Sequence, residues 1–164
     1  MSILPVYPIP WSGSWGSQTG LSVEMYQMGD DSFCLLKSAV GETEVGVEYR
    51  IGFSFGDRNE VRIVSEAELR PTGDVALTFS NGSIFDLRSP DYTSHGTSKV
   101  IIYEMSRSMI ALVLGDIKES HTGQLKMPVQ FGTQTFNLDL RQREAVFRDA
   151  RDCDNDRLGK VLPD

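Results

Sequence analysis

The sequence has little positive charge and no cluster of it. Its 164 residues include 16 lysines and arginines against 23 aspartates and glutamates, which gives a net charge of −7 at pH 7. Binding to nucleic acid requires Lys and Arg gathered on one surface to neutralise phosphates. The richest basic stretch is interleaved with acids, as is typical of a solvated helix face; its charged residues are Arg141, Arg143, Glu144, Arg148, Asp149, Arg151 and Asp152. We therefore expect no nucleic-acid partner.

Long hydrophobic runs are also missing. None approaches the roughly 18 apolar residues that a membrane-spanning helix requires, so we expect no membrane span. The opening stretch, MSILPVYPIPW, lacks the positive and continuously apolar regions of a secretory signal because Pro5, Pro8 and Pro10 interrupt it. The sequence predicts either a protein that stays where it is made or one from which a signal has been removed.

Residues and motifs typical of catalytic or metal-binding sites are scarce. The chain has two histidines, His95 and His121, and neither has a cysteine or carboxylate beside it at metal-ligand spacing. No G-x-S-x-G elbow, phosphate-binding glycine loop or G-x-G-x-x-G motif is present. We therefore expect a protein that is not an enzyme, with no catalytic residues and no cofactor.

One acidic stretch partly matches a calcium-binding loop. Asp152, Asp154 and Asp156 stand at the first three ligand positions. Arg157 occupies the position of the turn glycine, and Pro163 occupies that of the bidentate glutamate. We therefore expect no metal site.

Alternation of apolar and polar residues, which indicates β-strands, runs through most of the chain from Leu21. The clearest alternating segment is 45–55, and we expect its polar face to meet water; its apolar members are Val45, Val47, Tyr49, Ile51, Phe53 and Phe55. Asn81-Gly82 predicts a tight hairpin between strands 75–79 and 83–87. Many short strands with regular turns indicate a mainly β fold, an antiparallel β-sandwich or partly open barrel.

Later segments are more apolar. Residues 100–105 and 109–114 read as central strands. Residues 115–122 read as a short helix or helical turn with Ile117 facing inward and Gly123 as its cap.

The stretch 136–153 predicts a strand followed by a C-terminal helix. Phe136, Leu138 and Leu140 alternate as in a half-buried strand, and an apolar stripe at helical spacing follows, consisting of Val146, Phe147, Ala150 and Cys153. We expect this helix to be the only long one and residues 154–164 to form a polar tail. The β-rich domain would then cover residues 20–153.

Residues 1–19 read as an extended arm. Its prolines favour polyproline geometry and cannot donate hydrogen bonds to a sheet. Tyr7, Trp11 and Trp15 place large aromatic surfaces there. Either the arm packs these aromatics on its own domain or it inserts them into a partner, since Tyr and Trp are favoured as interface anchors. We select these three residues as the candidate partner-binding residues.

The chain has two cysteines, Cys34 and Cys153. A bond between them would close almost the whole domain and add on the order of 4–5 kcal/mol in the chain-entropy model. The alternative is two buried thiols that behave as small hydrophobes. We expect the disulfide, which implies an oxidising compartment or the exterior of a cell or virion.

These residues give the chain a resemblance to small secreted alphaproteobacterial proteins near the invasion-associated locus B family. The matching residues, over about 30–153, are Cys34, Phe136, Leu138, Ala145, Ala150 and Cys153. The resemblance implies a β-sandwich with an early strand cysteine, a late F-x-L strand and a cysteine in a terminal helix, and a largely non-catalytic role. This chain departs from the pattern in lacking a signal peptide and in having RQRE at the helix entry.

The sequence as a whole favours a structural or assembly protein that acts through contacts with other protein subunits. A capsid, decoration or tail component of a virion, or a member of an envelope complex, fits an acidic β-domain with terminal arms. A secreted or periplasmic binding module and an acidic mimic of nucleic acid are the alternatives.

Overall fold

The computed structural model describes residues 21–140 and 143–161. These residues form eleven strands and two helices. In chain order they are β1 (Ser22–Met28), β2 (Asp31–Lys37), β3 (Gly41–Glu42), β4 (Glu48–Gly56), β5 (Glu60–Ser65), β6 (Val75–Phe79), β7 (Ile84–Leu87), β8 (Asp91–His95), β9 (Ser98–Glu104), α1 (Arg107–Glu119), β10 (Thr122–Val129), β11 (Gly132–Asp139) and α2 (Arg143–Val161).

The strands form two antiparallel sheets. A seven-stranded sheet has the order β1-β2-β4-β5-β9-β8, with β3 beside β4, and a four-stranded sheet has the order β11-β10-β6-β7. One hydrophobic core joins residues of both sheets and both helices. The predicted mainly β fold, an antiparallel sandwich or partly open barrel with a C-terminal helix, is confirmed. The expectation of only one long helix is wrong, because α1 has 13 residues.

Tyr49 connects the two sheets directly. Its hydroxyl donates to the carbonyl oxygen of Asn137 at 2.8 Å and accepts from the amide nitrogen of the same residue at 2.7 Å. Its ring meets Phe136 edge-on, with centroids 4.9 Å apart. A Cβ added at Gly41 would lie 2.5 Å from Cζ of Tyr49, so a glycine is needed where β3 passes this ring.

The predicted Asn81-Gly82 hairpin is confirmed. β6 pairs with β7 across this turn, and Gly82 has a φ of +98°, a conformation that glycine adopts without strain.

The prediction of a central strand at 109–114 is wrong, because this segment lies inside α1. The side-chain oxygen of Ser106 accepts from the amide of Met109 and so caps the first turn. Ile110, Val113 and Ile117 then fall on one buried helix face. Ile117 faces inward as predicted. Gly123 is not the cap, since α1 ends at Glu119 with Ser120 as its C-cap and Gly123 belongs to β10.

The C-terminal helix is longer than the sequence pattern indicated. α2 continues past Cys153 to Val161, so most of the segment read as a polar tail is helical. Val146 and Ala150 are buried, as the apolar stripe predicted.

The prediction that one face of the 45–55 strand meets water is also wrong. In β4, Ile51 and Phe53 face the core, but Arg50 and Ser54 on the opposite face are fully buried as well. Val45 lies before the strand and is exposed. The central strands β2, β4 and β5 of the seven-stranded sheet are therefore buried on both faces.

Candidate functional site

The two cysteines are bonded to each other. The Cys34–Cys153 S–S distance is 2.04 Å and the Cα atoms are 6.2 Å apart. Cys34 is fully buried on β2, while Cys153 lies near the middle of α2. The bond therefore fixes α2 to the face of the seven-stranded sheet that also meets the four-stranded sheet.

A buried arginine fastens the same helix one turn further on. Arg157 donates to Oδ1 of Asp154 from Nε at 3.0 Å and from Nη2 at 2.8 Å. Its Nη1 lies 3.5 Å from the carbonyl oxygen of Ser32 and 3.7 Å from Oδ1 of Asp57. The disulfide and Arg157 thus hold α2 at two points along β2.

The opposite face of this sheet is the most unusual surface in the described part of the chain. Side chains alternate along a strand, so the neighbours of Cys34 on β2 point away from α2. The strand register aligns these side chains with alternating residues of β1, β4, β5 and β9. We call this surface the outer face; its principal residues are Glu24, Tyr26, Phe33, Leu35, Lys37, Arg50, Ser54, Glu60, Arg62, Val64 and Val100.

Part of the outer face is apolar. Tyr26, Phe33, Leu35, Val64 and Val100 form a buried cluster, and all of them come from strands of this one sheet. Within the described chain, no residue of α1, α2 or the four-stranded sheet belongs to the cluster. The rings of Tyr26 and Phe33 are stacked with centroids 5.6 Å apart.

An ion pair lies beside this cluster. Arg62 donates to Oε1 of Glu60 from Nη2 at 2.6 Å and from Nε at 2.9 Å. The side chains are only 4% and 7% exposed. The guanidinium carbon of Arg62 also lies 5.8 Å from the centre of the Phe33 ring, within the range of a cation–π contact.

A second group of charges lies towards the edge strand β1. Nζ of Lys37 donates to Oε1 of Glu24 at 2.5 Å, and the hydroxyl of Tyr26 donates to Oε2 at 2.6 Å. Burial lowers the pKa of Lys37, and its bond to Glu24 offsets this only in part. Burial by itself would raise the pKa of Glu24, but the bonds from Lys37 and Tyr26 and the charge of Arg50 bring it below its ordinary value. Nε of Arg50 donates to the carbonyl oxygen of Ser38 at 3.2 Å.

The sandwich also contains an open cleft of about 980 Å³ between β3 and the ends of β6, β10 and β11. Among the residues that the structure describes, its lining includes the carboxylates of Glu42 and Asp139 and no histidine, cysteine, lysine or arginine. Ser38 accepts a hydrogen bond from the amide of Ile51, and Ser80 accepts from the amide of His121. These two hydroxyls thus bind backbone amides.

Across residues 21–140 and 143–161, no three His, Cys, Asp or Glu side chains lie close enough together to hold a metal ion. Asp152, Asp154 and Asp156 belong to α2, so they do not form the loop that calcium requires. Neither helix in these ranges is long and apolar enough to cross a bilayer.

Comparison with protein-family models, with curated proteins and with solved structures found no match to the chain.

The candidate partner-binding residues Tyr7, Trp11 and Trp15 lie outside the described residues. The outer face was missed because its charged residues were read as solvent-facing. A signal for it was present in the sequence. Arg50 and Arg62 alternate with apolar residues in two strands rich in buried side chains, and residues 1–23 contain no charged side chain at all.

Proposed function

We propose that this protein is a non-enzymatic structural subunit that assembles with other protein chains through its N-terminal arm. Tyr7, Trp11 and Trp15 are the contact residues. A capsid, decoration or tail component of a virion is the setting that best suits a compact acidic domain of this kind. The disulfide-fastened sandwich supplies a rigid body, and the arm supplies the connection between subunits.

The observation that supports this proposal is the outer face. It combines an apolar cluster with three cations, and the helices and the second sheet all lie on the other side of the sheet. Such a surface suits an extended segment rich in aromatic residues, because Tyr and Trp bind both apolar surface and cations. Exchange of an identical segment between copies of a chain is a low-cost route to oligomers.

Deleting residues 1–16 should therefore abolish assembly. The full chain, purified with its disulfide intact, should give a mass of more than one subunit by light scattering after size-exclusion chromatography. The deleted chain should be monomeric, because the anchors are gone. A second variant with Tyr7, Trp11 and Trp15 all changed to alanine should behave in the same way.

The matched control is Phe131→Ala, which removes an aromatic ring that is 91% exposed in a turn of the four-stranded sheet. This variant should assemble like the full chain. A full chain that stays monomeric at every concentration, with or without candidate partners from its source, would contradict the proposed role.

The disulfide favours one alternative, a secreted or periplasmic binding module. A secreted or periplasmic module must fold outside a reducing cytosol, where disulfides persist. Mass spectrometry of native material under non-reducing conditions should find Cys34 and Cys153 joined in one peptide pair. Free thiols at both positions would exclude the secreted module and leave only an assembly that forms in the cytosol.

A further inference from the structure

Strand β8 is an open edge of the seven-stranded sheet. It lies last in the strand order, beside β9. Asp91, Thr93 and Ser94 are exposed and Tyr92 is 46% exposed, so both faces of the strand meet solvent. A row of unpaired backbone groups at such an edge is a template for another strand, and natural edges are usually blunted by lysine, proline or a bulge. Residues 91–95 contain no lysine or proline and pair with β9 without a bulge.

The backbone groups that β8 leaves unpaired follow from the register of its neighbour. In an antiparallel pair, successive residues of a strand turn their N–H and C=O groups to opposite sides. Directly after β9, the amide of Met105 donates to the carbonyl oxygen of Asn59 at 2.8 Å, so the odd-numbered residues of β9 face β5. The even-numbered residues of β9 therefore face β8, where the register pairs them with odd-numbered residues. The N–H and C=O groups of Tyr92 and Ser94 thus point out of the sheet, and no other described residue binds them.

The strands at the other edges of the two sheets are less accessible. On β11, the hydroxyl of Tyr49 occupies both the amide and the carbonyl group of Asn137. On the other side of the seven-stranded sheet, α2 packs against β1. The turn that leads into β7 is bound to α1, where Nδ2 of Asn81 donates to Oδ1 of Asp116 at 2.9 Å. Among these edges, β8 is therefore the one that a further strand joins most freely.

We propose that β8 is a contact strand between two copies of this chain, which pair their β8 strands antiparallel about a two-fold axis at Thr93. Tyr92 of each copy then lies opposite Ser94 of the other. Each of these pairs exchanges two backbone hydrogen bonds, so every outward N–H and C=O group of Tyr92 and Ser94 is bonded. The strand also complements itself in its side chains, because Thr93 faces Thr93, a favourable cross-strand pair, and Asp91 does not face its own copy.

The pairing joins the two seven-stranded sheets into one continuous sheet. Thr93 lies on the side of the outer face, because its partner on β9 is Val100, a member of the apolar cluster. Residues that are directly opposite in an antiparallel pair point to the same face. The outer faces of the two copies therefore lie side by side and form one surface.

The size of the contact determines where it forms. One five-residue strand from each copy is small against the roughly 1,200–2,000 Å² that stable protein interfaces bury. The contact therefore needs copies that are already close together, and in this respect the inference rests on the proposed assembly role. Within an assembly, the effective concentration of a tethered neighbour reaches the millimolar range, which compensates for the small interface.

A cysteine at position 93 tests this register. The two Thr93 residues form a non-hydrogen-bonded pair with Cα atoms about 4.5 Å apart, within the range that a disulfide spans. In the assembled full chain treated with oxidised glutathione, Thr93→Cys should give a linked dimer on a non-reducing gel, with the bond located by peptide mass spectrometry between the two copies of position 93. The matched control is Asp86→Cys, because Asp86 is an exposed residue of the edge strand β7. This variant should give several-fold less linked dimer.

Two further variants separate the backbone of β8 from its side chains. Tyr92→Pro removes an N–H group that the second copy binds, and it leaves the pairing with β9 because this N–H points out of the sheet. Combined with Thr93→Cys, it should lower the yield of linked dimer several-fold. Tyr92→Ala keeps the N–H but loses the ring and its contact with Arg70, and it should leave the yield unchanged. Should Tyr92→Pro fail to fold, the comparison of positions 93 and 86 decides alone.

The possible outcomes distinguish this inference from the assembly role. Equal yields from Thr93→Cys and Asp86→Cys would indicate random collision and would overturn the inference. A full chain that stays monomeric contradicts the assembly role; Thr93→Cys is then oxidised at near-millimolar protein, where its linked dimer should still exceed that of the control, and its absence would overturn the pairing too. Protection of the Ser94 amide from hydrogen exchange without a linked dimer would assign the edge to a strand of another protein and would also overturn the inference.

Discussion

Replacing Glu60 with alanine should lower the free energy of unfolding by about 3–5 kcal/mol, the cost of leaving one member of a buried ion pair without its partner. Arg62 stays on the outer face with 4% of its side chain exposed, and its two hydrogen bonds to Glu60 are lost. Urea denaturation followed by circular dichroism measures the change, since urea does not screen charges.

The chain contains a matched control for this change. Glu68 and Arg70 have the same Glu-x-Arg spacing and form a 2.8 Å ion pair, but their side chains are 61% and 66% exposed. Glu68→Ala should therefore cost less than about 1 kcal/mol. Changing Glu60 and Arg62 together to leucine and methionine should recover most of the stability, because no unpaired charge remains. Equal losses for Glu60→Ala and Glu68→Ala would mean that the outer face is open to water in solution.

These two ion pairs also show which features of the structure can be predicted from the sequence and which cannot. Both read as charged residues on a strand or turn, and local pattern cannot distinguish them. The difference comes from what covers the sheet, which is a tertiary property. The two-sheet fold could be predicted because β6, β10 and β11 each bury one face. In such strands, apolar and polar residues alternate in the sequence as buried and exposed positions alternate in the structure.

The missed helix has a different cause. Residues 109–114 are apolar enough to fit a buried strand, and a short apolar run has no period that separates the two states. The deciding signals lay outside this run: Ser106 as an N-cap, and Ile117, which follows Ile110 by seven residues and lies on the same buried face as Ile110 and Val113. The length of α2 was underestimated for a similar reason, because Arg157 is buried through contacts with residues far away in sequence.

The second large effect is expected at the disulfide. Changing both Cys34 and Cys153 to alanine should lower the free energy of unfolding by about 4–5 kcal/mol, because the bond closes a loop with a sequence separation of 119 residues. For a domain whose total stability is on the order of 5–15 kcal/mol, this loss is large enough to leave it marginally folded. Urea denaturation of the oxidised parent chain and of the double variant measures it.

The position of the bond explains why the chain depends on it. Ten of the nineteen residues in α2 are charged, so the apolar stripe that docks this helix is narrow. Without the bond, docking rests on Val146, Ala150 and the contacts of Arg157. Reducing the parent chain should lower the free energy of unfolding by a similar amount. Reduction breaks the S–S bond but keeps both sulfur atoms, so it leaves no cavity at the fully buried Cys34. The comparison therefore separates the effect of the cross-link from the effect of a cavity. If reduction leaves the unfolding midpoint unchanged while hydrogen exchange rises only in α2, the bond fastens one helix and does not stabilise the whole sandwich.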